Sequence, residues 1–157
     1  MVEVVSASLG RSGKTLSTAE SCTGGMLGKL LTDIAGSSAY YWGGVISYDN
    51  RAKETLLGVS TATLTSHGAV SAPTVVEMAD GIRRLLNTDF ALALSGVSGP
   101  GGGTPEKPVG TIHVALSSAA GTKTLHQVIL NGRGSRDQNR VIAIHLALDL
   151  LRDALRN

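Results

Sequence analysis

Cysteine is nearly missing from this chain of 157 residues: Cys22 stands alone. A single thiol excludes an intramolecular disulfide framework and any metal site built from several thiolates. Aromatic residues are almost as scarce, at 3%, which leaves no stacking platform for nucleic acid. The basic residues are scattered; Lys29, Arg51, Lys53, Arg83 and Arg84, each taken alone, read as solvated helix faces. Net charge is only +2, so no nucleic-acid partner is implied. His67, His113, His126 and His145 lie far apart without ligand spacing, so neither a metal nor another cofactor is expected. No run approaches the ~20 apolar residues of a membrane span. The opening MVEVVSASLGRSGK lacks the basic start and long apolar core of a signal peptide. These absences predict a cytoplasmic protein with no membrane attachment.

What is present suits one globular domain over residues 1–157, with 42% hydrophobic and 17% charged residues and no repeat or linker. KTLSTAE (Lys14 to Glu20) reads as a strand running into a turn. GGMLGKLLTDIAG then sets Met26, Leu27, Leu30, Leu31 and Ile34 at helical spacing, with Gly36 as the expected C-cap. YYWGGVISY (Tyr40 to Tyr48) predicts a strand, and NRAKETLLG a short helix capped by Asn50 and stopped by Gly58. A longer helix follows Ser71, its apolar face carrying Val75, Met78, Ala79, Ile82, Leu85 and Leu86. DFALALSGVSG is a near-continuous apolar strand, as in a sheet covered on both faces. GTIHVALSS and KTLHQVILN alternate across AAGT as a hairpin, and SRDQNRVIAIHLALDLLRDAL closes as a helix striped by Val141, Ile144, Leu148 and Leu151. Strands alternating with helices predict a three-layer α/β sandwich, its sheet mainly parallel with one antiparallel hairpin strand.

Four segments could carry chemistry. GRSGKT resembles a phosphate loop, but Ser8 stands where the first glycine is needed and a strand follows instead of a helix, so it is rejected. SGVSGPGGGTPEKPVG places six glycines after a buried strand; in an open α/β sheet such a loop meets ligands beyond the strand ends. In GSRDQNR, Arg136 and Arg140 share a face at a helix start, where cations oppose the helix dipole unless an anion binds. TAESCTGG puts Ser21 at a strand–turn–helix junction, near backbone N–H groups that could hold an oxyanion. Read by itself, Ser21 is either a helix cap or a nucleophile. Tyr48 and Lys53 are the nearest candidates for its base, since a desolvated lysine can be neutral and a tyrosine can relay a proton. Cys22 alone reads as a buried small hydrophobe.

Together TAESCTGG, GGVISYDNRAKETLLGV, HGAVS, SGVSGPGGGTPEKPVGT and SRDQNR, in this order and spacing, resemble the CinA C-terminal domain family from about Lys14 onward. The resemblance implies a three-layer α/β/α sandwich on a mixed five-stranded sheet. It also implies metal-free amidohydrolysis of nicotinamide mononucleotide to nicotinate mononucleotide and ammonia, as in pyridine-nucleotide recycling. The family's catalytic serine, tyrosine and lysine fall on Ser21, Tyr48 and Lys53. Either Tyr48 or Lys53 could take the serine proton. Substrate contacts are expected from Thr18, Glu20, Cys22, Thr23, Gly24 and Gly25, and phosphate contacts from Gly99, Gly101, Gly102, Thr104, Arg136 and Arg140. Ser135 replaces the family's usual aspartate before that arginine, and removes a partner Arg136 would otherwise have. Many relatives carry a further molybdopterin-binding-like domain with pyrophosphatase activity; no counterpart is read here, so that activity is not expected. The alternative is a non-catalytic module that holds a pyridine nucleotide or a competence-related protein partner. A DNA-binding competence factor finds little support in so weakly basic a chain. A homo-oligomer is expected, with Tyr40, Tyr41 and Trp42 as core or interface.

Overall fold

The fold, a computed structural model, describes residues 1–128 and 134–156. In chain order the elements are α1 (Val2–Ser12), β1 (Leu16–Glu20), α2 (Met26–Thr32), β2 (Tyr41–Ile46), α3 (Asn50–Leu57), α4 (Thr61–His67), α5 (Ala72–Leu86), β3 (Phe90–Gly96), β4 (Thr111–Ser118), β5 (Gly121–Val128) and α6 (Arg136–Ala154). The strands form one five-stranded sheet in the order β2-β1-β3-β4-β5. β1 pairs in parallel with both β2 and β3, whereas β4 runs antiparallel to β3 and β5. β4 is therefore the one strand reversed against the rest, and the α/β sandwich with a single antiparallel hairpin strand is what the alternation predicted. The predicted second hairpin strand continues to Asn131; its last part lies outside the described residues. Among the described residues no helix is long and apolar enough to cross a membrane.

Side-chain alternation along β3 builds both cores. Leu92 and Leu94 join Val5, Leu9, Leu27, Leu31, Ile144, Leu148 and Leu151 beneath α1, α2 and α6. Ala91 and Ala93 face the other way, with Val75, Met78, Ala79 and Ile82 of α5. Small residues on that face let α5 lie close to the sheet, and Gly81 continues the logic outward. An added Cβ there would lie 1.9 Å from the Leu57 carbonyl oxygen, so α3 crosses α5 at backbone contact. This crossing fixes the helix that carries Lys53.

At the carboxyl edge of β1, Glu20 is 2% exposed. Its carboxylate accepts N–H bonds from Gly25 (3.1 Å), Leu27 (3.0 Å) and Gly28 (2.8 Å). A negative group thus satisfies otherwise orphaned donors at the start of α2 and folds residues 21–25 into a tight turn. At the other end of the sheet, Asp89 accepts from the Thr15 N–H and hydroxyl and from Lys14, tying the starts of β1 and β3 together.

Several local expectations move. α1 and α4 were not read from the sequence; Val5 and Leu9 bury one face of α1, and Gly13 ends it in a left-handed turn. Gly36 does not cap α2, which ends at Asp33; it opens a short 3-10 turn over Ser37–Ala39. The cap of α3 is Asp49, whose carboxylate accepts the Arg51 N–H, and Asn50 is the first helical residue. Leu85 and Val141 are exposed. Leu86 continues the inward row from Ile82, and the first turn of α6 overhangs loops instead of the sheet. The aromatic run divides, with Tyr40 buried, Tyr41 half-buried and Trp42 exposed on edge strand β2.

Gly81→Ala forces a methyl group into a main-chain carbonyl that cannot yield, and should cost about 3 kcal/mol, read as a lower urea midpoint at unchanged slope. Glu20→Ala strands three donors and should destabilise by a similar amount, about 3 kcal/mol, with Glu20→Gln intermediate because one acceptor oxygen remains.

Candidate active site

β1 ends where its neighbour β3 continues, so Ser21 lies at the carboxyl edge of the sheet. Its N–H donates to the Leu94 carbonyl at 3.0 Å, which pins the residue to β3. From α3, Lys53 reaches the same point. Its side chain is 0% exposed, and Nζ lies 3.2 Å from Ser21 Oγ. It donates to the carbonyls of Ser47 (2.7 Å) and Tyr48 (3.3 Å). Among the described residues no carboxylate pairs with it. Burial pulls the Lys53 pKa below its ordinary value; the charge of Asp49 opposes this more weakly. A neutral amine has two N–H donors and one lone pair. In that form the two carbonyls would take the donors and the lone pair would face the Ser21 hydroxyl. That placement is the one a base for Ser21 requires.

The turn after Ser21 offers a narrower set of oxyanion donors than the sequence suggested. Gly24 N–H is spent on the Ser21 carbonyl and Gly25 N–H on Glu20. The Thr23 N–H has no backbone acceptor among the described residues, and the Cys22 N–H meets only its own thiol sulfur. Gly25 adopts φ +98, so glycine is required there by conformation. The Cys22 thiol is buried, and burial pushes its pKa up even though the Ser98 side chain hydrogen-bonds it. It stays a neutral thiol and a packing residue.

In front of Ser21 opens a cleft of about 280 Å³ lined by Ser21, Cys22, Tyr48, Ser98, the glycines Gly99, Gly101 and Gly102, and Arg136. Tyr48 is 61% exposed. Its hydroxyl accepts from Arg136 Nη2 at 3.0 Å, so only its main-chain carbonyl meets Lys53. Arg136 also donates to the Gly99 carbonyl at 2.8 Å. A larger hollow of about 350 Å³ at the opposite end of the sheet, beside Lys14, Asp89 and Phe90, holds no nucleophile–base pair.

Some predicted contacts are not brought to this cleft. Thr18 and Glu20 point to the α2 side of the sheet: the Thr18 hydroxyl bonds Tyr41, and Glu20 is consumed by the α2 cap. Alternation along β1 sends both side chains away from Ser21. Thr104 lies outside the cleft, its hydroxyl accepting the Lys107 N–H. Arg140 does not line it either; its Nε donates to the Cys22 carbonyl at 2.9 Å. Asn139, not singled out from the sequence, is 1% exposed and donates to the Ser98 carbonyl at 2.9 Å. Its signal was available, because Arg136, Asn139 and Arg140 share one helix face. Among the described residues no cluster of three His, Cys, Asp or Glu side chains could hold a metal ion.

Comparison with known proteins places this architecture. The sequence model of the CinA C-terminal domain matches residues 1–155. A CinA-like protein of Shewanella sp. (strain MR-4) is 51% identical over 155 residues, covering 99% of this chain and 36% of the relative. A protein of Shewanella oneidensis named nicotinamide-nucleotide amidohydrolase PncC is 52% identical over 144 residues, covering 92% of this chain and 34% of that one. The chain thus spans about a third of the length of these curated relatives. The crystal structure of the competence/damage inducible protein CihA from Agrobacterium tumefaciens matches with TM-score 0.90 at 42% identity, covering 99% of this chain and 95% of that one. The competence damage-inducible protein A from Klebsiella pneumoniae gives 0.93 at 36% identity, with coverage of 99% and 95%. With its sequence matched almost end to end and its fold shared by these solved structures, the chain belongs to the CinA C-terminal domain family.

Proposed function

We propose that this chain is an amidohydrolase whose Ser21–Lys53 pair cleaves the carboxamide of nicotinamide mononucleotide. The observation that carries the chemistry is the unpaired Lys53 amine, fully buried at 3.2 Å from the Ser21 hydroxyl. The name of the Shewanella oneidensis relative supports the substrate. Ser21 Oγ attacks the carboxamide carbon while Lys53 Nζ takes its proton. The N–H groups of Cys22 and Thr23 receive the developing oxyanion. Collapse of the tetrahedral adduct breaks the C–N bond, and the Lys53 ammonium returns its proton to the departing nitrogen, releasing ammonia. Water, deprotonated by the same amine, then hydrolyses the nicotinoyl ester and regenerates Ser21. Tyr48, its hydroxyl turned to Arg136, shapes the cleft wall and takes no proton in this scheme.

Phosphate needs donors, and the cleft supplies a guanidinium from Arg136 and the N–H groups of Gly101 and Gly102, which have no acceptor among the described residues. A non-catalytic binding module has no use for a buried base aimed at a hydroxyl, whose desolvation costs folding energy.

Ser21→Ala should lower ammonia release from nicotinamide mononucleotide by at least about 10³-fold at an unchanged melting temperature; ordinary turnover by this variant would refute the mechanism. Lys53→Met, which fills the same buried space without charge, should be equally inactive. The active form of Lys53 is the neutral one, present above its pKa. kcat/KM should therefore rise with pH and level off well below 10.5, the ordinary lysine value. Folding stability should rise from the point where activity levels off up to about 10.5, because over that range the unfolded chain binds the extra proton. Paired pH–rate and pH–melting profiles check both signs.

A further inference from the structure

Two arginines begin α6 four residues apart, yet they are engaged differently. Arg136 lines the cleft and touches Gly99 and Tyr48. Arg140 turns under the nucleophile turn, and among the described residues its one ion-pair partner is Asp137, 3.7 Å away with a side chain 80% exposed. So exposed a pair contributes little. Its directed bond is the one from Nε to the Cys22 carbonyl.

That carbonyl has a particular place in the chemistry. The two N–H groups after Ser21 belong to the peptides Ser21–Cys22 and Cys22–Thr23; the first meets only the Cys22 sulfur, and the second has no backbone acceptor among the described residues. The carbonyl of the first is held from inside the turn by Gly24 N–H at 3.1 Å. The carbonyl of the second is held from outside by Arg140 at 2.9 Å. A peptide group is planar, so fixing its oxygen fixes the direction of the N–H on the opposite edge. A charged donor on that oxygen also polarises the group and strengthens the N–H as a donor. Gly24, at φ +62, lies beside this guanidinium: an added Cβ would touch Arg140 Nη2 at 3.9 Å, an ordinary contact.

We infer that Arg140 is a positioning residue that sets and polarises the Cys22–Thr23 peptide as an oxyanion donor, and that it is no receptor for the nucleotide phosphate. The inference rests on Ser21 being the nucleophile. It divides the two arginines of one helix face: Arg136 reads the anionic end of the substrate, while Arg140 acts on the transition state through the backbone.

The test compares wild type, Arg140→Ala, Arg140→Lys, Arg140→Gln and Arg136→Ala in the full chain. Steady-state kinetics are measured on nicotinamide mononucleotide and on its dephosphorylated riboside. In parallel, a fluorophosphonate labels Ser21, its P=O occupying the oxyanion position whatever the natural substrate is. Arg140→Ala should lower kcat roughly 10- to 100-fold on both substrates and slow labelling by a similar factor, with KM within about threefold of wild type. Arg140→Lys, which keeps a charged donor, should recover most of this loss. Should the alanine variant not fold, Arg140→Gln keeps an uncharged N–H donor in its place and should show the same kcat-only loss to a smaller degree. Arg136→Ala should instead raise KM for the phosphorylated substrate and leave labelling unchanged. Labelling of Arg140→Ala at the wild-type rate would overturn the inference, as would a KM increase confined to the phosphorylated substrate. Wild-type protein that neither labels nor releases ammonia would overturn the nucleophile reading itself, and is recognised without any variant.

Discussion

Everything at the candidate site depends on one costly placement, a lysine amine removed from water without a carboxylate to pair with. Burying an ammonium alone is costly, so the fold pulls the Lys53 pKa down toward the state with a lone pair. Two main-chain carbonyls, Ser47 and Tyr48, orient the amine, and the remaining direction points at Ser21. The enclosing structure is rigid because α3 lies in backbone contact with α5 at Gly81. The environment of Lys53 is thus created by packing, some of it at residues well away from the cleft.

The serine is held with equal strictness, and mostly by main chain. Ser21 is tied to β3 through Leu94, and its turn is closed by Gly24 and by the triple acceptor Glu20. The first turn of α6 then braces the remaining carbonyls of the cleft, at Gly99, Ser98 and Cys22, through Arg136, Asn139 and Arg140. Cationic residues in the first turn of a helix oppose its dipole. Here their compensation comes from backbone carbonyls of neighbouring loops, so the misfit visible in the sequence is what joins α6 to the site.

Much of the fold was legible because its signals are local. Period-2 and period-3.6 patterns located the five strands and four of the six helices, and glycine or serine punctuation placed Gly58, Ser71 and Ser135 at their helix ends. The two helices left unread have weak signals. α1 is rich in β-branched residues, and α4 is a short polar segment with no buried residue, TATLTSH. Errors of one residue at caps, as with Asp49 and Asn50, reflect two adjacent side chains of equal capping propensity, and only the backbone angles separate them.

Sequence alone determined the kinds of group available: one serine before a glycine pair, one lysine five residues after a tyrosine, a glycine-rich loop and two arginines on a helix face. It also determined the α/β alternation, because burial periodicity is written in the chain itself. Only tertiary structure decided which groups meet. Strand alternation removed Thr18 and Glu20 from the cleft, and burial set Lys53 apart from the exposed Tyr48. The path of α6 over the nucleophile turn gave Arg140 a carbonyl to hold. Each of those outcomes depends on distances between residues far apart in sequence, and on water being excluded from the space between them, neither of which a local pattern encodes.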